Sequence, residues 1–199
     1  MENNIAMVIV TYNRLEKLKK LIYHYEKLLI KPKYLIIIDN NSNDGTEKYL
    51  NKISNKYQMD YLRLEENLGG SFGFYKGLEL AKEKKAEWIY LSDDDAYPSK
   101  DYFKNLIRNI NLNKNVSVFT PVIMNNDGYE LSHKSNYVKT KTAINFEIIP
   151  IQEYSKQSFE HKIFSFVGPV INIACIDEIG YPEKDYFIWH DDSEYSLRF

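Results

Sequence analysis

The stretch Ile5-Ala6-Met7-Val8-Ile9-Val10-Thr11, followed at once by Tyr12-Asn13-Arg14, decides the fold. It is apolar without alternation until it meets polar residues, the pattern of a strand buried on both faces of a parallel sheet. From Arg14 onward Leu15, Leu18, Leu21, Ile22, Tyr25, Leu28 and Leu29 recur at helical spacing, with Asn13 expected as the cap and Pro32 beyond the end. A second strand is predicted over 34–39, a polar turn over 40–45, a helix over 46–56 and a short strand over 61–64. Strands that alternate with helices pair in parallel, because the helix is the crossover that parallel pairing needs.

The glycine-bearing loop 67–73 is expected to open a helix running to 84, and Trp88 to Ser92 is a fourth apolar strand leading straight into Asp93-Asp94-Asp95. A helix is predicted over 99–111 and a β-rich run over 116–123. Asn126-Asp127-Gly128 is a turn signal, and the polar stretch from there to 162 reads as loop and edge hairpin. A short helix over 174–179 should stop at Gly180, and a strand over 186–189 should deliver His190, Asp191 and Asp192.

Composition narrows the function. Lysine and arginine (26) nearly balance aspartate and glutamate (28), so the chain lacks the basic excess of a phosphate-backbone binder and nucleic acid is not expected as a partner. The one cysteine, Cys175, excludes an intrachain disulfide and a cysteine-rich zinc site; its apolar neighbours predict a small buried side chain in a reducing cytoplasm. No basic leader precedes the first strand, and no apolar run approaches the roughly 20 residues that span a bilayer. The chain is expected in the cytoplasm, either free or attached peripherally to the inner face of the cell membrane.

Polar clusters stand at the carboxyl ends of three predicted strands: Thr11 to Arg14, Asp39 to Thr46, and Asp93 to Asp95. Ligands of open α/β sheets bind at that edge. Three adjacent aspartates raise one another's pKa unless a cation compensates, and hard oxygen donors suit Mg²⁺ or Mn²⁺. A helix N-terminus following the triad accounts for one carboxylate, not three. The run from Asp39 fails as a calcium loop, since Asp44 falls where glycine is required and Leu50 where a bidentate glutamate belongs. Gly69-Gly70-Ser71-Phe72-Gly73 is not a dinucleotide fingerprint. Gly69, Gly73 and Gly77 at fourfold spacing read either as only a closely packing helix face or, with Asn67 to Gly70 ahead of the helix, as a turn that also leaves backbone donors free for an anion.

Five motifs in order, Val10-Thr11-Tyr12-Asn13-Arg14, Ile38 to Thr46, Glu66-Asn67-Leu68-Gly69-Gly70, Asp93-Asp94-Asp95 and His190-Asp191-Asp192, resemble glycosyltransferase family 2, whose catalytic domain has the GT-A fold. Residues 67–77 and 189–198 are most similar to galactofuranosyltransferases and related polysaccharide rhamnosyltransferases. The resemblance implies an α/β domain with a mostly parallel central sheet flanked by helices. One domain over 1–199 would comprise a nucleotide-sugar-binding half, 1–98, and an acceptor and catalytic-base half, 99–199. It implies donor contacts from Thr11, Tyr12, Arg14, Asp39, Asn67, Gly70, Asp93 and Asp94, and a Mn²⁺ or Mg²⁺ ion on Asp93 and Asp95. Asp192 would be the catalytic base and Asp191 would hold the acceptor or orient Asp192. Trp189 and His190 would stand on the acceptor side; Trp189 and Tyr195 read equally as a platform for an apolar sugar face or as core. The implied partners are a nucleoside-diphosphate sugar, with uracil the default base and thymine the alternative, and a glycan or lipid-linked glycan.

Family members continue past the last motif with helices that cover the acceptor and often supply a histidine ligand, an extension this chain is expected to lack; His24, His133 and His161 are not assigned to that role. Two other readings compete. A sugar-phosphate nucleotidyltransferase would carry a glycine-rich basic loop after the first strand, where this chain has Tyr12-Asn13-Arg14. A non-catalytic nucleotide- or glycan-binding module would have no need of Asp191 and Asp192.

Overall fold

The computed structural model describes residues 4–139 and 144–199. Strands β1 (Ile5–Thr11), β2 (Tyr34–Asp39), β3 (Asp60–Arg63) and β4 (Trp88–Asp93) lie parallel in the order β3-β2-β1-β4. The connections are α1 (Leu15–Lys27), α2 (Thr46–Tyr57) and α3 (Gly69–Glu83). The chain continues through α4 (Tyr102–Leu112), β5 (Val118–Phe119) and a hairpin of β6 (Met124–Asn125) and β7 (Gly128–Tyr129). After these come β8 (Lys134–Lys139), β9 (Ile144–Ile148), β10 (Ile163–Phe164), β11 (Val170–Asn172), α5 (Ala174–Ile179) and α6 (Asp191–Ser196). Strand β11 joins β4 antiparallel, and β5 joins β11, closing the order β3-β2-β1-β4-β11-β5.

This is the expected α/β sheet, parallel over four strands and flanked by helices. The continuous apolar runs hide a period of two. Ile5, Met7, Ile9, Leu35, Ile37, Trp88 and Tyr90 bury one face against Leu18 and Leu21 of α1, Leu50 of α2 and Phe103 of α4. Ala6, Val8, Val10, Ile36, Ile38, Ile89 and Leu91 bury the other against Phe74 and Leu78 of α3, Ile176 of α5 and Tyr195 of α6. Both faces being covered, neither tolerates polar alternation. The strands supplied by the second half of the sequence extend the sheet of the first.

Some local expectations change. Of the β-rich run 116–123 only two residues form a strand, and the polar stretch that follows builds, besides the expected hairpin, a small antiparallel sheet β10-β8-β9. Part of that stretch, 140–143, lies outside the described residues. Helix α3 begins at Gly69, inside the expected loop, because the Asn67 side chain accepts the Gly69 N–H at 3.0 Å and opens the first turn there. Cys175 is half-buried, not buried.

Strand order reverses between β1 and β4, and the crevice at such a switch point is where open sheets take ligands. Helix α3 lies close over β1 beside it. A Cβ on Gly73 would meet Val10 Cγ1 at 2.6 Å, and one on Gly77 would meet Val8 Cγ1 at 2.1 Å. Val8 is a β-branched residue on a central strand with no room to turn away. Gly77→Ala should therefore lower stability by about 1–3 kcal/mol, in spite of alanine's better helix propensity, measured by urea unfolding. An unchanged midpoint would show that α3 can lift off β1 freely.

Candidate functional site

The loop after β1 is tied to the loops after both neighbouring strands. On one side the Asn13 N–H donates to Ser42 Oγ (2.8 Å) and the Asn43 N–H donates to Asn13 Oδ1 (2.7 Å). Asn13 takes positive φ to do so and does not cap α1. The first N–H of that helix, from Leu15, is accepted by Asp44 Oδ2 at 2.8 Å, while Asp44 Oδ1 accepts from the N–H and hydroxyl of Thr46 at the start of α2. One carboxylate thus serves the orphan donors of two helices.

On the other side Thr11 Oγ1 donates to Asp94 Oδ2 at 2.6 Å. Arg14 Nε stands 3.0 Å from Asp94 Oδ1 as an ion pair, without the alignment of a hydrogen bond, and Arg14 also pairs with Asp95. Lys17 Nζ lies 2.9 Å from Asp95. Burial, reinforced by Asp94 and Asp95, pushes the Asp93 carboxyl up to about 7. Burial takes Asp94 to about 6 against the Thr11 hydroxyl and Arg14. Burial also raises Asp95, but Lys17 and Arg14 outweigh it and hold that carboxyl below its ordinary value.

The sequence-predicted donor residues divide by depth. Thr11, Asp39 and Asp94 are only 2%, 0% and 1% exposed, so they shape the crevice from beneath and do not line its surface. Asp39 spends both oxygens inside the protein, accepting from the Ser42 N–H (2.8 Å) and the Tyr61 hydroxyl (2.9 Å). Tyr12 and Asp95 reach the surface; Arg14, Asn67, Gly70 and Asp93 are half-buried. Of the backbone donors expected to be free over 67–70, that of Gly69 is already taken by Asn67 Oδ1, and the Ser71 N–H just beyond donates to the Phe187 carbonyl at 3.2 Å.

Residues 186–189 are not a strand. A 3₁₀ turn (Lys184–Tyr186) leads into positive φ at Phe187, Trp189 and His190, and Trp189 is 74% exposed. Three non-glycine residues in that backbone region cost energy that tertiary contacts must offset. The contact is α3, whose first turn receives the Phe187 carbonyl where a Cβ on Gly69 would sit 2.1 Å from the oxygen. The loop delivers Asp191 and Asp192 to the start of α6. Asp191 is buried, raised by burial and by Asp192, and near enough to Asp93 to push that carboxyl higher. Asp192 Oδ1 accepts from Ser193 N–H at 2.6 Å. Tyr195 is core, its hydroxyl donating to the Gly180 carbonyl at 3.0 Å, and offers no face to a ligand.

Sequence reasoning gave no role to Ser71 and left His133 unassigned. Burial holds His133 below its ordinary pKa while the charges of Glu130 and, less strongly, Asp192 oppose that, and its Nδ1 lies 2.7 Å from Ser165 Oγ. Nothing local in the sequence marks either residue. His161 bonds Thr120 and the Ile163 carbonyl, and His24 stacks on Tyr97 with ring centres 5.0 Å apart. Among the described residues no group of three or more histidine, cysteine or acidic side chains could close round a metal ion. Of the triad, Asp93 is half-buried and Asp95 is at the surface, where Arg14 and Lys17 pair with it; both carry the hard oxygens that an open site completed by ligand oxygens would need. No helix of the described residues is long and apolar enough to cross a membrane.

The sequence profile described as Glycosyl transferase family 2 matches residues 6–170. Galactofuranosyltransferase GlfT1 of Mycolicibacterium smegmatis is 24% identical over 196 residues, which are 98% of this chain and 64% of that protein. The cholesterol galactosyltransferase of Borreliella burgdorferi is 30% identical over 95 residues, 48% of this chain and 26% of its own length. Among solved structures, S. aureus TarS 1-349 in complex with UDP superposes with a TM-score of 0.69 at 17% identity, covering 96% of this chain and 53% of that one. GalNAc-T7 with UDP, GalNAc and Mn²⁺ gives 0.72 at 15% identity, covering 98% and 40%. These structural likenesses show the fold. The chain spans less than two thirds of each of these proteins.

The double role of Asp44 has a measurable consequence. Asp44→Ala should cost on the order of 1 kcal/mol, since a lost helix cap costs about 0.5–2. Burial raises the Asp44 pKa, but the Thr46 and Leu15 donors outweigh it and leave the carboxyl lowered in the folded state. A lowered native pKa contributes stability above the unfolded value, and that stability is lost as pH falls through the native value. The wild-type chain should therefore lose more stability than Asp44→Asn on acidification below the ordinary carboxylate range. Parallel acid-unfolding curves would refute the capping role.

Proposed function

Because the chain belongs to glycosyltransferase family 2 and has the GT-A fold, we propose that it moves a sugar, with inversion, from a UDP-sugar to a hydroxyl of a glycan or lipid-linked glycan in polysaccharide synthesis. The observation that carries this reading is that Asp191, at the start of the last helix, lies near enough to Asp93 of the triad at the switch point of the sheet for its charge to raise that carboxyl. The names of the relatives, a galactofuranosyltransferase and a galactosyltransferase, support a hexose donor, and UDP in solved proteins of this fold supports uracil as the base.

Tyr12 and Arg14 border the nucleotide, with Thr11, Asp39 and Asp94 fixing the loops that carry it. Asn67 and Gly70 face the diphosphate side. Asp93 and Asp95 would hold Mn²⁺ or Mg²⁺ with donor phosphate oxygens; the presence of Mn²⁺ in GalNAc-T7 supports this. When bound, such an ion neutralises charge on the departing diphosphate. Asp192 accepts the proton of the attacking hydroxyl, Asp191 holds the acceptor or orients Asp192, and a single in-line displacement inverts the anomeric carbon. The exposed ring of Trp189 offers an apolar face to the acceptor sugar, beside His190. A nucleotidyltransferase is less well supported, because the loop after β1 is short and tied down through Asn13 to the next loop.

Incubation of the chain with Mn²⁺ and a panel of UDP-galactofuranose, UDP-galactose, UDP-glucose and dTDP-rhamnose, reading nucleoside diphosphate release, tests the donor class; release from none of them would reject it. In calorimetry, UDP should bind more tightly with Mn²⁺ than with chelator, and Asp95→Asn should abolish the difference. Equal affinity in chelator and Mn²⁺ for the wild-type chain would sink the metal assignment. Asp192→Asn should keep UDP binding and lose transfer by about 10²–10⁴-fold, the usual contribution of a general base. Wild-type transfer by that variant would move the base elsewhere.

A further inference from the structure

The first turn of α3 does more than cover β1. Ser71 is 0% exposed, and its hydroxyl is a buried polar atom without a partner of full hydrogen-bond geometry. Its N–H donates to the Phe187 carbonyl at 3.2 Å. Two residues earlier Gly69, at φ +84°, leaves open the space into which that carbonyl fits; any side chain there would meet it at 2.1 Å. The strained segment 187–190 is therefore pinned at its beginning by α3, and Asp191 follows at its end. Asp191 is 8% exposed, and the charge of its carboxylate is favoured by the amides of α6 and by the Ser71 hydroxyl. A buried hydroxyl unpaired elsewhere costs free energy, which an ionised acceptor beside it recovers.

We propose that Ser71 is a positioning residue for Asp191 and Asp192: its hydroxyl turns to the Asp191 carboxylate while its N–H and the bare Cα of Gly69 hold the Phe187 carbonyl. The two ends of the 187–190 loop are thereby fixed to one helical turn, and that turn also carries Gly70 of the donor side. Ser71 touches neither sugar nor diphosphate in this scheme. It acts by fixing the orientation of the α6 start, on which the proton acceptor sits.

This inference rests on the catalytic reading of Asp191 and Asp192, and a double-mutant cycle separates the two. Transfer is read as UDP release from whichever UDP-sugar of the panel the chain cleaves, and binding as calorimetry with UDP alone. Ser71→Ala should lower kcat by roughly tenfold to a hundredfold, the scale of one hydrogen bond to a charged group. The KM for donor and the affinity for UDP should stay as in the wild type. In an Asp191→Asn background the same substitution should cost little more, because its target is already gone. A wild-type kcat for Ser71→Ala overturns the proposal, as do losses that multiply in the double variant, which would make Ser71 a packing residue independent of Asp191. If Asp191→Asn alone transfers at the wild-type rate, the catalytic reading fails on that single variant and the positioning role falls with it. Gly69→Ala supplies a second route: it should reduce kcat with UDP affinity retained, and full transfer by that variant overturns the clamp on Phe187.

Discussion

Two carboxylates, Asp39 and Asp94, are buried at the carboxyl ends of parallel strands, and burial of a charge must be compensated by donors placed to meet it. The compensation organises this molecule. Asp39 takes the Ser42 N–H and the Tyr61 hydroxyl, so the loop after β2 curls back over its own strand and β3 is fixed beside it. Asp94 takes the Thr11 hydroxyl and the Arg14 guanidinium, so the loop after β1 leans over the switch point. Asn13 and Asp44 then join these two loops, and the edge of the sheet becomes one hydrogen-bonded surface.

That surface gains its second wall from far along the chain. Glycines at 73 and 77 let α3 settle onto Val10 and Val8, which brings the start of the helix level with the strand ends. There it receives the Phe187 carbonyl and stands against Asp191. The same close packing that fills the core thus sets the distance between the acidic triad and the last helix. Arg14 and Lys17 offset the charge of Asp94 and Asp95, while half-buried Asp93 and buried Asp191 have their carboxyls raised by desolvation and by neighbouring carboxylates.

The sequence by itself determined the parallel part of the sheet. Unbroken apolar runs at 5–10, 35–38 and 88–91, each separated by a helical repeat and each ending in polar residues, admit one arrangement: parallel strands covered on both faces, with chemistry at their carboxyl ends. It also determined which residues belong to that edge, because strand ends are set by local chain geometry. Tertiary structure decided which of them reach solvent. Depth is a sum of contacts between distant segments, so nothing in the run Asp93-Asp94-Asp95 marks the middle residue as a structural anchor. The apolar run Tyr186 to Trp189 carries the composition of a strand, yet it is an exposed, strained loop, because Gly69 and Ser71 more than a hundred positions earlier capture its backbone. Asn13 has the chemistry of a cap, yet Asp44 from the neighbouring loop caps the helix, since the free Leu15 N–H points there. Local propensity fixes what a segment can become, and long-range hydrogen bonds and close approach select what it is.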